Sequence, residues 1–166
     1  MIAYVGLGSN LGDRDAQIHA AIEQLAALPD TRVTKVSSIY ETEPVGEVEQ
    51  PWFLNAVARL ETELAPRQLL WNLLRIERAL GRVRRQRRGP RTIDLDLLLC
   101  DDLVVDEPGI RLPHPELSHR GFVLVPLVEL DPMLVHPVAG ETLLAQLARL
   151  GKGPSIRRTS RPADAP

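Results

Sequence analysis

The stretch TIDLDLLLC, residues 92–100, constrains the fold more than any other segment of this chain. Apolar residues alternate in it with Asp94 and Asp96, which predicts a β-strand with one face in a core and two carboxylates on the other. Side chains two residues apart on a strand point the same way, with Cα atoms about 6.6 Å apart. Antiparallel sheets commonly expose one polar face, so a solvated strand face is the plain alternative to a functional pair of carboxylates.

The order of the other elements predicts the fold class. Apolar patterning and turn residues indicate, in chain order, a strand at 2–8, a helix within 13–30 that Pro29 ends, strands at 31–42 and 53–64, a helix at 65–81 and the strand at 92–100. This β-α-β-β-α-β order is typical of a ferredoxin-like α+β domain, an antiparallel sheet with helices packed on it. We predict one domain over residues 1–150, with an irregular C-terminal extension after the core, and a flexible tail over residues 151–166, which has almost no apolar content.

Composition excludes several classes of protein. The net charge is −2, so no overall field attracts nucleic acid or a membrane surface. The single cysteine, Cys100, excludes a disulfide framework and favours a reducing compartment. The first residues lack the pattern of a signal peptide, and no apolar run approaches the roughly 20 residues of a membrane span. We therefore expect a cytoplasmic protein. We also expect a monomer, an expectation on which composition does not bear.

Positive charge is concentrated just before the two aspartates. Residues 75–91 contain eight arginines and one acid, Glu77. Arginine binds phosphate bidentately, and paired carboxylates bind Mg²⁺ together with phosphate oxygens, so the two features predict a nucleoside-triphosphate site. The alternatives for the arginines are a solvated basic surface or an RNA-binding patch. The third strand, NAVARLE, lacks the aromatic residues on which ferredoxin-like RNA-binding domains stack bases, which disfavours RNA.

Three further groups of residues are candidates for a site or a turn. Phe53 and Phe122 are the only phenylalanines; they could sandwich a flat heterocycle whose edge Asn55 would bind, or they could simply fill a core. The spacing of His114 and His119 is poor for zinc, and contact of His114 and Arg120 with phosphate is the better interpretation. The GLGSNLGD segment lacks the dinucleotide spacing and is interpreted as a strand-to-helix turn, with Ser9 or Asn10 capping the helix.

Taken together, these motifs resemble the 6-hydroxymethyl-7,8-dihydropterin pyrophosphokinases, a family of folate-biosynthesis enzymes. The resemblance runs through YVGLGSNLGDR, SSIYETEPVG, QPWFLNAV, RIERALGRVR, GPRTIDLDLLL and LPHPELSHRGFVLVPL, over roughly residues 2–137. It implies a ferredoxin-like fold and transfer of the β,γ-pyrophosphoryl group of ATP to the hydroxymethyl group of the pterin, with release of AMP. The alternatives are an RNA-binding ferredoxin-like module or an inactive structural homologue.

The resemblance also implies roles for individual residues. Two Mg²⁺ ions would be bound by Asp94 and Asp96. Residues implied in catalysis are Arg82, Arg91, Asp94 and Asp96. Residues implied in pterin binding are Thr42, Val45, Phe53, Asn55 and Phe122. Residues implied on the ATP side are Glu77, Arg82, Arg84, Arg88, Arg91, His114 and Arg120.

Some positions depart from the family pattern. Many members carry an aromatic residue just before GPR, where this chain has Arg88, so either Arg87 or Arg88 could be the phosphate contact. Many members also have a polar residue where this chain has Leu74, and an aromatic residue where it has Pro115. These differences concern the adenine side of the site and leave the reacting groups unchanged.

Overall fold

The computed structural model describes residues 1–46, 49–81, 92–151 and 153–162, the side chains of the last range up to Thr159. The strands of the main sheet are β1 (Ile2–Ser9), β2 (Thr31–Val36), β3 (Ser38–Thr42), β4 (Phe53–Thr62), β5 (Asp94–Cys100) and β8 (Ile156–Pro162). A separate hairpin consists of β6 (Val105–Glu107) and β7 (Ile110–Leu112). The helices are α1 (Arg14–Ala26), α2 (Pro66–Ala79), α3 (Gly121–Leu130) and α4 (Leu143–Leu150), with a 3₁₀ turn at Leu117–His119.

The strands of the main sheet lie in the order β5-β1-β4-β3-β8, with β2 beside β3 on the same edge of β4. β1 lies between β4 and β5 and runs antiparallel to both. The chain therefore passes through strand, helix, two strands, helix and strand before the extension begins. The predicted ferredoxin-like α+β arrangement is confirmed.

The segment 31–42, predicted as one strand, is broken into β2 and β3 at Ser37. The Ser37 hydroxyl accepts a hydrogen bond from the Val57 amide at 2.8 Å and donates to the Ser38 carbonyl at 2.8 Å. The Ser37 amide donates to the Val57 carbonyl at 2.9 Å. A serine side chain has thus replaced a backbone group in the ladder, which shifts the strand without leaving a buried amide unpaired.

Local sequence signals set the ends of α1 and α2. The Asp13 carboxylate caps α1 by accepting from the Ala16 amide at 3.1 Å, so neither Ser9 nor Asn10 is the cap that the sequence suggested. Pro66 occupies the first turn of α2, where its missing N–H costs nothing. Gly81 follows that helix with a φ of +84°, a conformation that favours glycine. None of the helices in the described ranges is long and apolar enough to cross a membrane.

Helices cover the sheet on both faces. On the first face, α1 and α2 pack over a core that includes Val5, Leu7, Leu54 and Leu95. On the second face, α3 and α4 pack over a smaller core that includes Tyr4, Val57, Leu98, Leu124 and Leu127. α3 lies in the extension expected to be irregular. It reads GFVLVPLVEL, with apolar residues on all sides and an internal Pro126, so it has no helical periodicity to detect.

The tail expected to be flexible contains a strand, β8, which pairs antiparallel with β3. Its side chains contribute little apolar burial, and the backbone ladder holds it instead, with added ion pairs to Glu41 and Glu129. Composition carries no signal for such a strand, because main-chain hydrogen bonds do not depend on side-chain type. The end of the tail, 163–166, lies outside the described residues.

Candidate active site

Asp94 and Asp96 lie on the face of β5 that points away from α1 and α2. Pairing with β1 puts Asp94 opposite Gly8 and Asp96 opposite Gly6. Both aspartates are half-buried. Directly opposite residues of antiparallel strands share a face, so the two glycines place no side chain beside the carboxylates. This leaves room for ligand groups next to both acids.

Glu77 holds β5 at the point between these carboxylates. It lies in the last turn of α2 and is 2% exposed. Its Oε2 accepts a hydrogen bond from the Leu95 amide at 2.9 Å. Leu95 separates the two aspartates, so this bond fixes the strand from which both project. The structure gives Glu77 this contact with the protein, and its contact with ATP stays a prediction.

His114 brings an imidazole to Asp96. Its Nε2 lies 4.0 Å from Asp96 Oδ1, while its Nδ1 accepts from the Glu116 amide at 3.1 Å. The His114 amide also donates to the Leu98 carbonyl at 2.9 Å, which ties this loop to the outer edge of β5. Burial, followed by the charge of Arg120, lowers the pKa of His114 below its ordinary value. The ring is therefore neutral near pH 7 and, with Nδ1 accepting, carries its proton on Nε2.

Arg120 and Phe122 lie at the N-terminal end of α3. Arg120 precedes the helix as its N-cap residue, and its guanidinium lies 5.6 Å from the centre of the Phe122 ring. Phe122 is half-buried against the smaller core. The charge of Arg120 also acts on His114, so the two predicted phosphate contacts lie within electrostatic reach of each other.

Asn55, Thr42 and Phe53 form a connected group on β3 and β4. Thr42 and Phe53 are directly paired, and Asn55 Nδ2 donates to Thr42 Oγ1 at 2.5 Å. Asn55 is 7% exposed and is paired with Gly8 of β1. A Cβ on Gly8 would lie 3.0 Å from Asn55 Oδ1 and 3.8 Å from Phe53 Cδ1. The carboxamide therefore occupies space that any other residue at position 8 would need.

The sheet brings Phe122 to the same end as Phe53. Phe53 pairs with Thr42, and Thr42 pairs with Ile156 of β8. A Cβ on Gly121 would lie 3.1 Å from Ile156 Cδ1, so the start of α3 rests on this row of paired residues. Four of the predicted pterin-binding residues are thus gathered at one end of β3 and β4.

A cavity of about 630 Å³ opens on the outer side of β5. Its apolar wall is built from α2 and β7 and includes Leu70, Leu74 and Ile110, and its polar end is formed by Asp96 and His114. Pro115 also lines this cavity, so two of the three departures from the family pattern noted above, Leu74 and Pro115, lie on its wall. Charged side chains of the β6–β7 hairpin also line this cavity, so it is only partly apolar. A slot with an apolar wall beside a carboxylate and an imidazole suits a flat base followed by phosphates.

Part of the predicted site lies at or beyond the ends of the described ranges. Val45 is 48% exposed and lies just before the gap at 47–48. The arginines of the loop fall outside the described residues: Arg82, Arg84, Arg85, Arg87, Arg88 and Arg91. Their described neighbours are Gly81, at the end of the helix that carries Glu77, and Thr92, two residues before Asp94. Both flanks of this loop therefore lie at the carboxylates.

The turn after β1 makes long-range hydrogen bonds that the sequence did not indicate. Ser9 Oγ donates to the Thr92 carbonyl at 2.5 Å. Asn10 Nδ2 donates to Gln50 Oε1 and to the Pro51 carbonyl, both at 2.9 Å. These side chains join the turn to the two segments that carry the candidate site. They were interpreted as helix caps because only the local spacing is visible in the sequence, and the contacts span 40 residues or more.

The chain is similar to known proteins over most of its length. Residues 4–132 match the model of the family described as 7,8-dihydro-6-hydroxymethylpterin-pyrophosphokinase. A 2-amino-4-hydroxy-6-hydroxymethyldihydropteridine pyrophosphokinase of Methylorubrum extorquens is 49% identical over 148 residues, 89% of this chain and 92% of that protein. The enzyme of the same name from Pseudomonas aeruginosa is 48% identical over 134 residues, 81% of this chain and 83% of that one.

A solved structure shows the same fold at low sequence identity. The crystal structure of wild-type HPPK-DHPS from Plasmodium falciparum matches with a TM-score of 0.71 and 15% identity, over 89% of this chain and 44% of that longer one. The family model and the two bacterial relatives span the strands and loops that carry both aspartates, both phenylalanines and Asn55. The chain belongs to the 7,8-dihydro-6-hydroxymethylpterin-pyrophosphokinase family.

Proposed function

We propose that this chain transfers the β,γ-pyrophosphoryl group of ATP to 6-hydroxymethyl-7,8-dihydropterin at the site built around Asp94 and Asp96. In this reaction the pterin hydroxyl oxygen forms a bond to Pβ, and the bond from Pβ to the α,β-bridging oxygen breaks. The products are the pterin diphosphate and AMP. Pyrophosphoryl transfer from ATP in folate biosynthesis is the activity of the family to which the chain belongs.

The observation that carries the placement of the site is one row of paired residues across the sheet. Asp94, Gly8 and Asn55 stand side by side on β5, β1 and β4. The cavity suited to a nucleotide lies on the outer side of β5, and the predicted pterin contacts lie on β3 and β4. ATP and pterin would therefore approach the carboxylates from opposite sides, with the glycines leaving space between them.

The donor set at the carboxylates fits Mg²⁺. Asp94 and Asp96 offer hard oxygen ligands on one face, and like charges this close favour a cation between them. Within the described ranges, no group of three or more His, Cys, Asp or Glu side chains could hold a metal. Two carboxylates that leave the other positions to phosphate oxygens and water are what Mg²⁺ uses in nucleotide sites. We propose two Mg²⁺ ions here, which when bound would neutralise charge on the triphosphate.

The chain's own polar groups would orient the phosphates. His114 presents Nε2–H beside Asp96 and can donate to a phosphate oxygen without adding a full charge. Arg120 lies close enough to influence His114 and would pair with the phosphate chain. We propose that Arg82 and Arg91, outside the described residues, act on the transferring group, and that Arg84 and Arg88 contribute to ATP binding.

Two observations bear on the alternatives. Ferredoxin-like RNA-binding modules read bases on an open sheet face, whereas α3 covers Tyr4, Val57 and Leu98 on the corresponding face here. Glycine weakens a strand because it has no side chain to pack, so the close fit between Gly8 and Asn55 has a cost. An inactive homologue would have no need to keep it.

The test is incubation of the protein with ATP, Mg²⁺ and the reduced pterin alcohol, with AMP and pterin diphosphate measured together. We expect the two products in equal amounts, and none of either without pterin or with EDTA. AMP without pterin diphosphate would indicate hydrolysis, and no AMP at all would support the inactive homologue. Retention of RNA by the protein, with no turnover, would favour the RNA-binding module.

A further inference from the structure

Three side chains from distant parts of the chain hold the segment Gln50–Trp52, which leads directly into Phe53. Asn10 donates to the Pro51 carbonyl at 2.9 Å. Arg14 Nη1 donates to the Trp52 carbonyl at 2.8 Å. The guanidinium of Arg157, on β8, lies 5.4 Å from the centre of the Trp52 ring, within the range of a cation–π contact.

Glu41 connects two of these side chains. Its Oε2 accepts from Arg14 Nη2 at 3.1 Å, and its Oε1 accepts from Arg157 Nε at 2.9 Å and also from Arg157 Nη2. Glu41 is 15% exposed, and the hydrogen bond from Arg157, more than that from Arg14, holds the pKa of its carboxyl below the ordinary value. Glu41 immediately precedes Thr42, whose hydroxyl accepts from Asn55, so this carboxylate lies directly behind the predicted pterin contacts.

Hydrogen bonds at the start of β8 also hold the first residue after β3. The Glu43 amide donates to the Ser155 carbonyl at 3.0 Å, and the Ser155 amide donates to Glu43 Oε2 at 3.2 Å. The next residue, Ile156, pairs with Thr42. The loop that carries Val45 is therefore tied to β8 where it leaves β3, and to Arg14 and Arg157 where it enters β4.

We infer that Arg157, acting through Glu41 and Trp52, is a positioning residue that orients Phe53 and the loop before it for pterin binding. This inference rests on the proposed function of the site. Within the described part of the chain, the Arg157 side chain contacts Glu41 and Trp52, neither of which is a predicted substrate contact, so its effect must pass through these two residues. The C-terminal strand, whose composition indicated a flexible tail, thus acts as a brace for one of the two substrate sites.

A second arginine–glutamate pair in the same sheet provides a matched control, because removing it tests the effect of losing a cross-strand ion pair alone. Arg157 and Glu41 are directly opposite each other on paired strands, and so are Arg32 and Glu61. The two arginines are similarly exposed, 71% and 74%. Each carboxylate keeps a second arginine after the substitution, Arg14 for Glu41 and Arg59 for Glu61, so neither substitution should unfold the protein. Only the Arg157 pair adjoins the predicted pterin contacts.

The experiment compares Arg157→Ala, Arg157→Lys and Arg32→Ala in steady-state kinetics with each substrate varied in turn. We expect Arg157→Ala to raise the KM for pterin by about threefold to tenfold, a range set by loss of a small contact network. The kcat and the KM for ATP should change by less than about twofold. Arg157→Lys should restore part of the loss, because it keeps the charge but not the bidentate geometry. Arg32→Ala should match the wild type throughout.

Other outcomes separate the inference from the proposed function. An unchanged pterin KM in Arg157→Ala, or an equal change in Arg32→Ala, would overturn the inference while the wild type still produced AMP. A uniform loss of kcat in Arg157→Ala, with both KM values unchanged, would also overturn it. Absence of turnover in the wild type would instead overturn the proposed function. A Trp52→Leu variant supplies a second test: if Arg157 acts through the ring, adding Arg157→Ala should raise the pterin KM little further, and fully additive effects would contradict that route.

Discussion

Single residues in this site are constrained by what stands opposite them on the next strand. Gly8 is followed by a turn motif and was interpreted as part of that turn, yet its position is decided by Asn55 across the sheet. A Cβ at 3.0 Å from Asn55 Oδ1 is tighter than nine in ten Cβ contacts in proteins, so the carboxamide or the strand would have to move by a few tenths of an ångström. Because Asn55 also donates to Thr42, such a shift would disturb two predicted pterin contacts at once.

We expect Gly8→Ala to weaken pterin binding by about 1–3 kcal/mol, a cost typical of overpacking a well-filled site. ATP affinity should change little, because the cavity lies on the other side of the carboxylates. The measurement is the dissociation constant of each substrate, determined separately. Gly6→Ala is the control: a Cβ there would meet Leu98 Cδ1 at 3.5 Å, an ordinary contact. Similar pterin affinities for the two variants would contradict this interpretation of Gly8.

The carboxylates should tolerate substitution structurally but not chemically. We expect Asp94→Ala and Asp96→Ala each to lower kcat by about 10³-fold or more, because several kcal/mol of transition-state stabilisation depend on the cation they would bind. Removing one of two neighbouring negative charges should leave the apoprotein at least as stable to urea. Asp102→Ala, an exposed carboxylate two residues beyond the same strand, should behave as wild type. Near-normal production of AMP by either site variant would exclude a metal at this pair.

Whole elements are held in place by a few polar side chains. Glu129 of α3 accepts from the Ser38 amide at 3.0 Å, from the Ser38 hydroxyl at 2.7 Å and from the Tyr40 hydroxyl at 2.6 Å. Burial alone would raise the pKa of Glu129, but these donors hold it below the ordinary value. Burial and the bond to Glu129 raise the pKa of Tyr40 to about 12. This group fixes α3, which carries Phe122 in its first turn, to β3, which carries Thr42.

We expect Tyr40→Phe to lower the free energy of unfolding by about 1–2 kcal/mol, because the Glu129 carboxylate loses one of its donors and keeps the others. Tyr4→Phe is the matched control, since the Tyr4 hydroxyl donates to Asp131 Oδ2 at the longer distance of 3.3 Å. Urea denaturation of the two variants measures the difference. If Tyr4→Phe proves the more damaging, the carboxylate of Glu129 is not the main attachment of α3.

The sequence predicted those elements that are stabilised by periodic apolar side chains, and it missed those that are stabilised in other ways. β5 was predicted because Asp94 and Asp96 alternate with buried apolar residues, and α1 and α2 because their apolar residues recur at helical spacing. α3 is apolar on all sides, and β8 is held by backbone bonds and ion pairs, so neither has a periodic pattern. Contacts between distant segments, such as Asn10 with Pro51 or Glu77 with Leu95, depend on strand register, which composition and spacing do not reveal.

Across the whole molecule, charge is unevenly distributed. The net charge of −2 conceals eight arginines within residues 75–91, whose described flanks adjoin the carboxylates. A triphosphate bound there would supply the missing negative charge. Arginines that each contact a phosphate oxygen and a diffuse positive field would both attract the triphosphate. They differ in whether turnover depends on which arginine is removed.

We expect Arg82→Ala and Arg91→Ala to lower kcat by about 10²-fold to 10³-fold, the loss seen when one preorganised contact to a transition state is removed. Arg85→Ala should be nearly silent, although it removes the same charge. Single-turnover measurement of AMP formation with saturating substrates compares the three. Equal losses at all three positions would mean that the arginines act as a field and not as individual contacts.

The position of β8 at the end of the sheet has a consequence for how copies of this molecule meet. An outer strand presents unpaired amides and carbonyls, and these can template the addition of another chain. The sequence of β8, IRRTSRP, puts three arginines and a closing proline on that border. A second copy docking here in antiparallel fashion would bring guanidinium groups together and would find no amide on Pro162. The strand that braces the substrate loop therefore also discourages edge-to-edge aggregation.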